Sequence, residues 1–363
     1  MKRSLLGYLR SFFSALLVCL TFSSLAAAVP TDNTPGISYL RWSPSGKYLL
    51  VSLGPTRDKQ AVVDTESSAT VWQSTIPTTA SFCWEPWAPV GPERLALITE
   101  QKSADKTKTQ WRLLILDPNG KEITSYPLAT GPGSYCWNSD ASQLAFFDAN
   151  GSGNLLFLQA DTQPMKLNNT LLLPPDIKKE SLHKLRWQPN RNLIAAERGD
   201  GRDENLTLIN IDSGDVRPLL YRNVPLRGIQ LNSAVWNTEG NRLLFAAGNT
   251  SFYSLLLQRE SQPFKTVTCE GFRFNAESWS ANRQKVAFLA IGKRTRLKNA
   301  RADAYVYSLR PEHIKQLTRC ADVTQVALSP SGQTAAVVHN DIKLNLINVA
   351  TGKEKPIWQA PQP

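Results

Sequence analysis

The chain has 363 residues, with 41 Lys and Arg against 30 Asp and Glu, a formal charge of +11. Its 42% hydrophobic content excludes a disordered polyelectrolyte, and its 23 Pro and 20 Gly are spread along the chain as turn punctuation rather than gathered in a linker. The length exceeds what a single ordinary core holds.

The first 28 residues read as a secretory signal. Lys2, Arg3 and Arg10 form a basic head, Phe12 to Leu25 is mostly apolar and uncharged, and Ala26-Ala27-Ala28 supplies small residues for cleavage after Ala28. The alternative is an uncleaved anchor, because the apolar run is almost long enough to span a bilayer. The expectation is a periplasmic or secreted protein whose mature part, 29–363, carries three fewer positive charges, 38 against 30, or +8.

From Leu40 the sequence writes an apolar strand ending in Trp42, a Ser43-Pro44-Ser45-Gly46 turn, and a second apolar strand, Tyr48 to Val51. Pro44 presets φ for such a turn, and Gly46 accepts the left-handed conformation that closes it. Seven anchors repeat the pattern at Trp42, Trp84, Trp137, Trp187, Trp236, Trp279 and Leu328, separated by 42, 53, 50, 49, 43 and 49 residues. Each unit then closes with a further strand pair, clearest in Trp111 to Ile123 around Asp117-Pro118-Asn119-Gly120 and repeated at Leu206 to Val216 and Leu344 to Glu354. Four short antiparallel strands per unit predict an all-β, seven-bladed β-propeller of four-stranded antiparallel blades. The anchors are expected to be structural wedges between blades. Trp87, out of register with Trp84, is expected to be exposed, and Trp72 and Trp358 to pack on outer strands. No helical periodicity is evident.

The pattern apolar-x-Trp-Ser-Pro-x-Gly, carried best by residues 40–51 and 326–338, resembles the WD40-like propeller repeat of the TolB type, from about Ile37 to Gln359. The resemblance implies a propeller in the cell envelope. In the family an α/β domain precedes the propeller, whereas here only Val29 to Gly36 precede the first blade, so no residue of that domain carries over.

The search for chemistry returns no catalytic, cofactor-binding or metal site. A Gly-x-Ser-x-Gly elbow, which a peptidase reading requires, does not occur. His183, His313 and His339 lie far apart, without metal-ligand spacing. Cys83 and Cys136 read as buried thiols, and Cys269 and Cys320 as an outer pair able to bridge. Two function classes remain. The preferred one is a non-catalytic binding or scaffold protein that takes an envelope protein or an anionic cell-surface polymer. Nucleic acid is excluded by compartment, and membrane contact is expected only peripherally or through an uncleaved anchor. The alternative is a lactonase- or dehydrogenase-like enzyme whose site lies in the central channel, near Ser38, Asn232, Glu277 and Thr324. For the preferred reading, the loops between the second and third strands share one face and carry Arg57, Lys102, Lys106, Lys108, Arg202, Lys293, Arg294, Arg296, Lys298 and Arg301. These are the candidate partner-binding residues. The long connection from Asn168 to His183 is expected to cover the channel mouth or to form an apolar contact site.

Overall fold

A computed structural model describes residues 36–54, 59–74, 78–79, 85–102, 109–129, 131, 133–149, 151–178, 182–199, 205–221, 224–225, 235–236, 240, 242–247, 251–256, 265–268, 273–279, 284–291, 302–309 and 311–360. The expected signal segment lies outside them, and among the described residues no helix is long and apolar enough to cross a membrane.

The strands form seven four-stranded antiparallel sheets, each an up-and-down meander in chain order. Blade one contains Ile37–Trp42, Tyr48–Leu53, Lys59–Asp64 and Thr70–Gln73; blade two contains Thr78–Thr79, Leu95–Lys102, Thr109–Leu116 and Glu122–Leu128. Blade three contains Tyr135–Trp137, Gln143–Phe147, Leu155–Gln159 and Lys166–Leu171; blade four contains Leu182–Trp187, Leu193–Arg198, Asn205–Asn210 and Val216–Pro218. Blade five contains Val235–Trp236, Arg242–Ala247, Ser251–Leu256 and Lys265–Thr268; blade six contains Arg273–Trp279, Lys285–Ile291, Asp303–Leu309 and Glu312–Gln316. Blade seven contains Val323–Leu328, Thr334–His339, Lys343–Asn348 and Glu354–Gln359. First strands of neighbouring blades approach one another, as Ile37–Trp42 does Val323–Leu328 and Tyr135–Trp137 does Leu182–Trp187, which sets them innermost. A two-stranded ribbon, Leu220–Tyr221 with Val224–Pro225, separates blades four and five.

The second strands are apolar at consecutive positions because both of their faces are covered. Leu49 and Val51 pack with Ala336 and Val338 of blade seven, whereas Leu50 between them packs with Leu95 and Leu97 of blade two. Blade seven repeats the division: Ala335 and Val337 face blade six, Ala336 and Val338 face blade one. A strand buried on one face would alternate apolar with polar; one clamped between two sheets cannot. Each fully buried Leu or Val contributes roughly 1.5–3 kcal/mol, so the ring is held by many blade-to-blade contacts.

Three of the turns after the first strands, those of blades one, three and seven, share one hydrogen-bond plan. In blade one Gly46 N–H donates to Ser43 O at 2.9 Å and Tyr48 N–H to Ser43 Oγ at 3.1 Å. In blade seven Gly332 N–H donates to Ser329 O at 2.8 Å and Thr334 N–H to Ser329 Oγ at 3.1 Å. Blade three, which lacks the Pro and the Gly, keeps the plan with Gln143 N–H donating to Asn138 Oδ1 at 3.0 Å and Ala141 held at φ 60°. In these three turns a short side-chain acceptor after the anchor makes the same bond with or without Pro and Gly, whereas blade two, with Ala88 there, keeps Pro89 and Gly91.

Most of the anchoring indoles stitch the ring rather than merely filling it. Nε1–H of Trp42 donates to Ala327 O (2.9 Å), of Trp137 to Pro86 O (3.0 Å) and of Trp236 to Arg186 O (3.1 Å), in each case a carbonyl just before the equivalent position of the preceding blade. In blade two that role belongs to Trp87, which is 4% exposed and donates to Arg41 O at 3.2 Å. Its expected exposure is therefore corrected, and Trp84 lies outside the described residues. Trp87 bridges Leu95, as Trp42 pairs with Leu49, and Gly91 takes a φ of 81° where Gly46 takes 77°. Trp187 departs from the rule: its indole donates to Arg191 O in its own turn, with its ring edge-on to Phe157. Only the backbone of Trp279 is described, and Leu328 packs as an aliphatic counterpart between blades six and seven. Trp72 and Trp358 pack against the flanks of blade one.

The connection after blade three turns through one short helical turn, Pro175–Lys178, and buries Leu173 and Ile177 between blades three and four, leaving Leu172 exposed. Among the described residues the ring closes without a shared strand, since blade seven draws all four of its strands from Val323 onward. The seam is instead made by side chains and single bonds, among them Trp358 Nε1–H to Thr70 Oγ1 at 2.9 Å and Ile37 N–H to Asp341 O at 2.5 Å.

Candidate functional site

A meander of this order puts the second-to-third-strand hairpins and the blade-to-blade connections at one end of the ring and the anchor turns at the other. Arg57, Lys106, Lys108, Arg202, Lys293, Arg294, Arg296, Lys298 and Arg301 fall outside the described residues, and of Lys102 only the backbone is described, at the end of Leu95–Lys102. That strand and its partner Thr109–Leu116 have eight residues each, against six in the corresponding strands of blade one, and pair out to Gln101 with Gln110 and Lys102 with Thr109. Blade two therefore carries an extended hairpin at the loop end.

At the innermost strands a bulge recurs. Register shifts fall between Ile37 and Tyr39, His183 and Arg186, Ala276 and Ser278, and Val323 and Gln325. The extra residues include Ser38, Glu277 and Thr324, three of the four channel candidates; Asn232 lies outside the described residues. Bulges re-aim side chains. Ser38 Oγ–H donates to Ser52 O at 3.4 Å, Lys184 Nζ meets the buried Glu197 Oε2 at 2.7 Å, and Thr324 Oγ1 is buried without a hydrogen bond. Of Glu277 only the backbone is described.

The anchor-turn end holds a cleft of about 310 Å³, lined by Trp87, Trp137, Trp187, Trp236 and Arg186 among others. Arg94, from blade two, stacks 5.4 Å over the Trp137 ring and donates from Nη2 to Ala141 O at 2.8 Å.

Among the described residues, a cluster of Cys, Asp and His side chains lies at the loop end of blade seven. Val323 pairs with His339 across the first and second strands, so Cys320 and Asp322, just before the first strand, meet the side chain at the end of the second. His339 is 8% exposed; its Nδ1 lies 2.7 Å from Asp322 Oδ1 and 3.5 Å from Cys320 Sγ, and its Nε2 lies 2.9 Å from Glu354 Oε1. Asn340 Nδ2 donates to Asp322 Oδ2 at 3.1 Å and Asn345 Nδ2 to Glu354 Oε1 at 2.6 Å. Asp303 of blade six fixes the connection that brings Cys320 in, accepting from Thr318 Oγ1 and Ala321 N, both at 3.0 Å. The returning hairpin is pinned by Asn340 and Asp341, with φ of 50° and 63°, a pair of residue types that tolerates the left-handed region.

Partial burial favours the neutral form of Asp322, yet hydrogen bonds from Cys320 and His339, with the charge of His339, hold its carboxyl below the ordinary value. Desolvation first, then the adjacent Asp322, push the Cys320 thiol up. Sequence spacing missed this cluster because its members are separated by a strand and a turn. Only the bulged pairing of the two strands, which sets Val323 opposite His339, brings it together. Cys320 carries no disulfide; Cys269, its expected partner, lies outside the described residues.

These features define a β-propeller. In fold it is similar to the crystal structure of the β-propeller domain of Myceliophteria thermophila Cps50 (Swd1), with a TM-score of 0.57 and 12% sequence identity over 90% of this chain and 97% of that one. No protein-family model matches the chain, and no curated protein does. Solved chains with a significant match number 1454, so the architecture is too widely shared to specify a function.

Proposed function

We propose that the protein is a non-catalytic binding scaffold of the TolB-like kind, exported to the periplasm or cell surface by residues 1–28. Through its loop face it engages an acidic envelope protein or anionic cell-surface polymer. The observation that carries this reading is the extended blade-two hairpin, whose last described pair is Lys102 with Thr109 and whose intervening sequence holds Lys106 and Lys108. A rigid, closed ring presenting unequal basic loops suits recognition of a charged partner. Reversing Lys293, Arg294 and Arg296 to Glu, or Lys106 and Lys108 to Glu, should sharply reduce recovery of the partner by affinity capture from envelope extracts and weaken its salt dependence. Undiminished recovery by both variants would overturn the proposal.

The aromatic cleft at the opposite end favours a second reading, in which that face takes an apolar or aromatic group. Arg186 and four Trp rings there offer stacking as well as burial. A partner whose capture survives the charge reversals but is lost on Val90→Glu, which sets a charge at a 48% exposed position on the cleft rim, would select this reading instead.

A further inference from the structure

We infer that blade seven binds a divalent metal cation of the zinc class through Cys320 Sγ, a carboxylate oxygen of Asp322 and His339 Nδ1. Glu354 holds the imidazole from the other side. These three donor atoms lie within 4.8 Å of one another. Tetrahedral zinc with bonds of about 2.0–2.3 Å sets its ligand atoms roughly 3.3–3.7 Å apart. The Cys320 Sγ to His339 Nδ1 distance of 3.5 Å already has that value. Asp322 Oδ1, at 2.7 Å from Nδ1, has to recede by about half an ångström. The donor set, one thiolate, one carboxylate and one imidazole, suits a borderline-soft ion better than calcium or magnesium, which take oxygen alone.

The second observation lies on the far side of the ring. With Nε2–H donated to Glu354 Oε1 at 2.9 Å, removal of the Nδ1 proton leaves that nitrogen's lone pair facing Asp322 and Cys320. A carboxylate behind a ligating histidine is the usual outer-shell arrangement of zinc sites, and Asn345 in turn orients Glu354. Two lone pairs 2.7 Å apart need a cation between them, either a proton or a metal. The exchange balances. Each proton that the thiol or Nδ1 carries leaves for solvent as one divalent ion enters: with both protons on, the four side chains sum to −1, and with both off their −3 and the ion's +2 again give −1. Three protein ligands leave the fourth tetrahedral position to water, on the side where Cys320 is exposed.

The test is titration of the purified, reduced protein with Co²⁺ and Zn²⁺, independent of any partner capture. The expected result is saturable binding of one equivalent, release of the thiol proton, and a thiolate-to-cobalt charge-transfer band. Cys320→Ser, at an exposed position, should fold normally and lose that band; Glu354→Gln, outside the ligand set, should weaken binding about 10–100-fold. No saturable binding would overturn the inference. So would a charge-transfer band that persists in Cys320→Ser, which would assign the metal to another cysteine.

Discussion

A single indole separates two kinds of anchor in this ring. Trp87 and Trp236 each give an N–H to a carbonyl of the preceding blade, at 3.2 and 3.1 Å, whereas Trp187 gives its own to Arg191 in the same turn. Trp87→Phe or Trp236→Phe should therefore remove one hydrogen bond between blades and cost about 1 kcal/mol, measured by denaturant unfolding. Trp187→Phe should cost clearly less, and equal losses would refute the stitching role. The distinction is invisible in sequence, where all three are Trp after an apolar strand. Blade two was misread for a related reason. Trp84-Glu85-Pro86 looks like an anchor turn, but Trp87-Ala88-Pro89-Val90-Gly91 has the spacing of Trp42-Ser43-Pro44-Ser45-Gly46, with Gly91 at the left-handed position. Counting from the glycine back to the Trp would have found it. At Gly120 the requirement is double: φ is 80°, and a Cβ would lie 1.8 Å from Trp72 Cδ1. Gly120→Ala should destabilise by at least about 1–3 kcal/mol in the same measurement.

The turn is the element on which this fold repeats most faithfully. At the end of the third strand an Asp or Asn accepts two amides of the following turn: Asp64 from Glu66 and Ser67, Asn210 from Asp212 and Ser213. Asn348 likewise accepts Thr351 N–H at 2.8 Å, together with its hydroxyl. The Ser67 amide first, and its hydroxyl and the Glu66 amide with it, hold the Asp64 carboxyl below its ordinary value against a small desolvation. A depressed folded value gives stability that is complete above the unfolded carboxylate range and is lost as pH falls through the folded value. Amide exchange at Ser67 should thus accelerate below about pH 4, the unfolded carboxylate value, while Thr351, held by an uncharged amide, should not respond there. The connection between blades six and seven depends on Asp303 in the same way. Asp303→Ala frees Thr318 and Ala321 and should weaken cobalt binding at Cys320 while leaving the thermal unfolding of the ring nearly unchanged. Such turns were legible because their signals lie within a few residues. The Cys320, Asp322 and His339 cluster was not, because it appears only once a bulged pairing of two strands is known. The same limit applied to the bulge itself: Ser38 and Thr324 were singled out as strand starts facing the channel, but nothing local announces an extra residue.

Across the whole molecule the sequence repeat predicted the sheet plan correctly, seven meanders of four strands, because apolar runs and turns recur at fixed spacing. It left the closure open, which rests on contacts between residues nearly 300 positions apart. Since the described strands of blade seven all come from Val323 onward, removing residues 29–34 should leave the melting temperature within about 2 °C of the intact protein. A larger drop would mean that this segment joins the ring. The seam also orders events in time. Leu49, Val51 and Val63 find their neighbours Ala336, Val338 and Ile357 only when the end of the chain has been made. At ordinary rates of synthesis that interval is on the order of tens of seconds. Through it blade one waits with an uncovered apolar flank, a sticky edge in search of its own far end. The youngest chains, rather than the finished ring, are where a holding chaperone would be needed and where aggregation would begin.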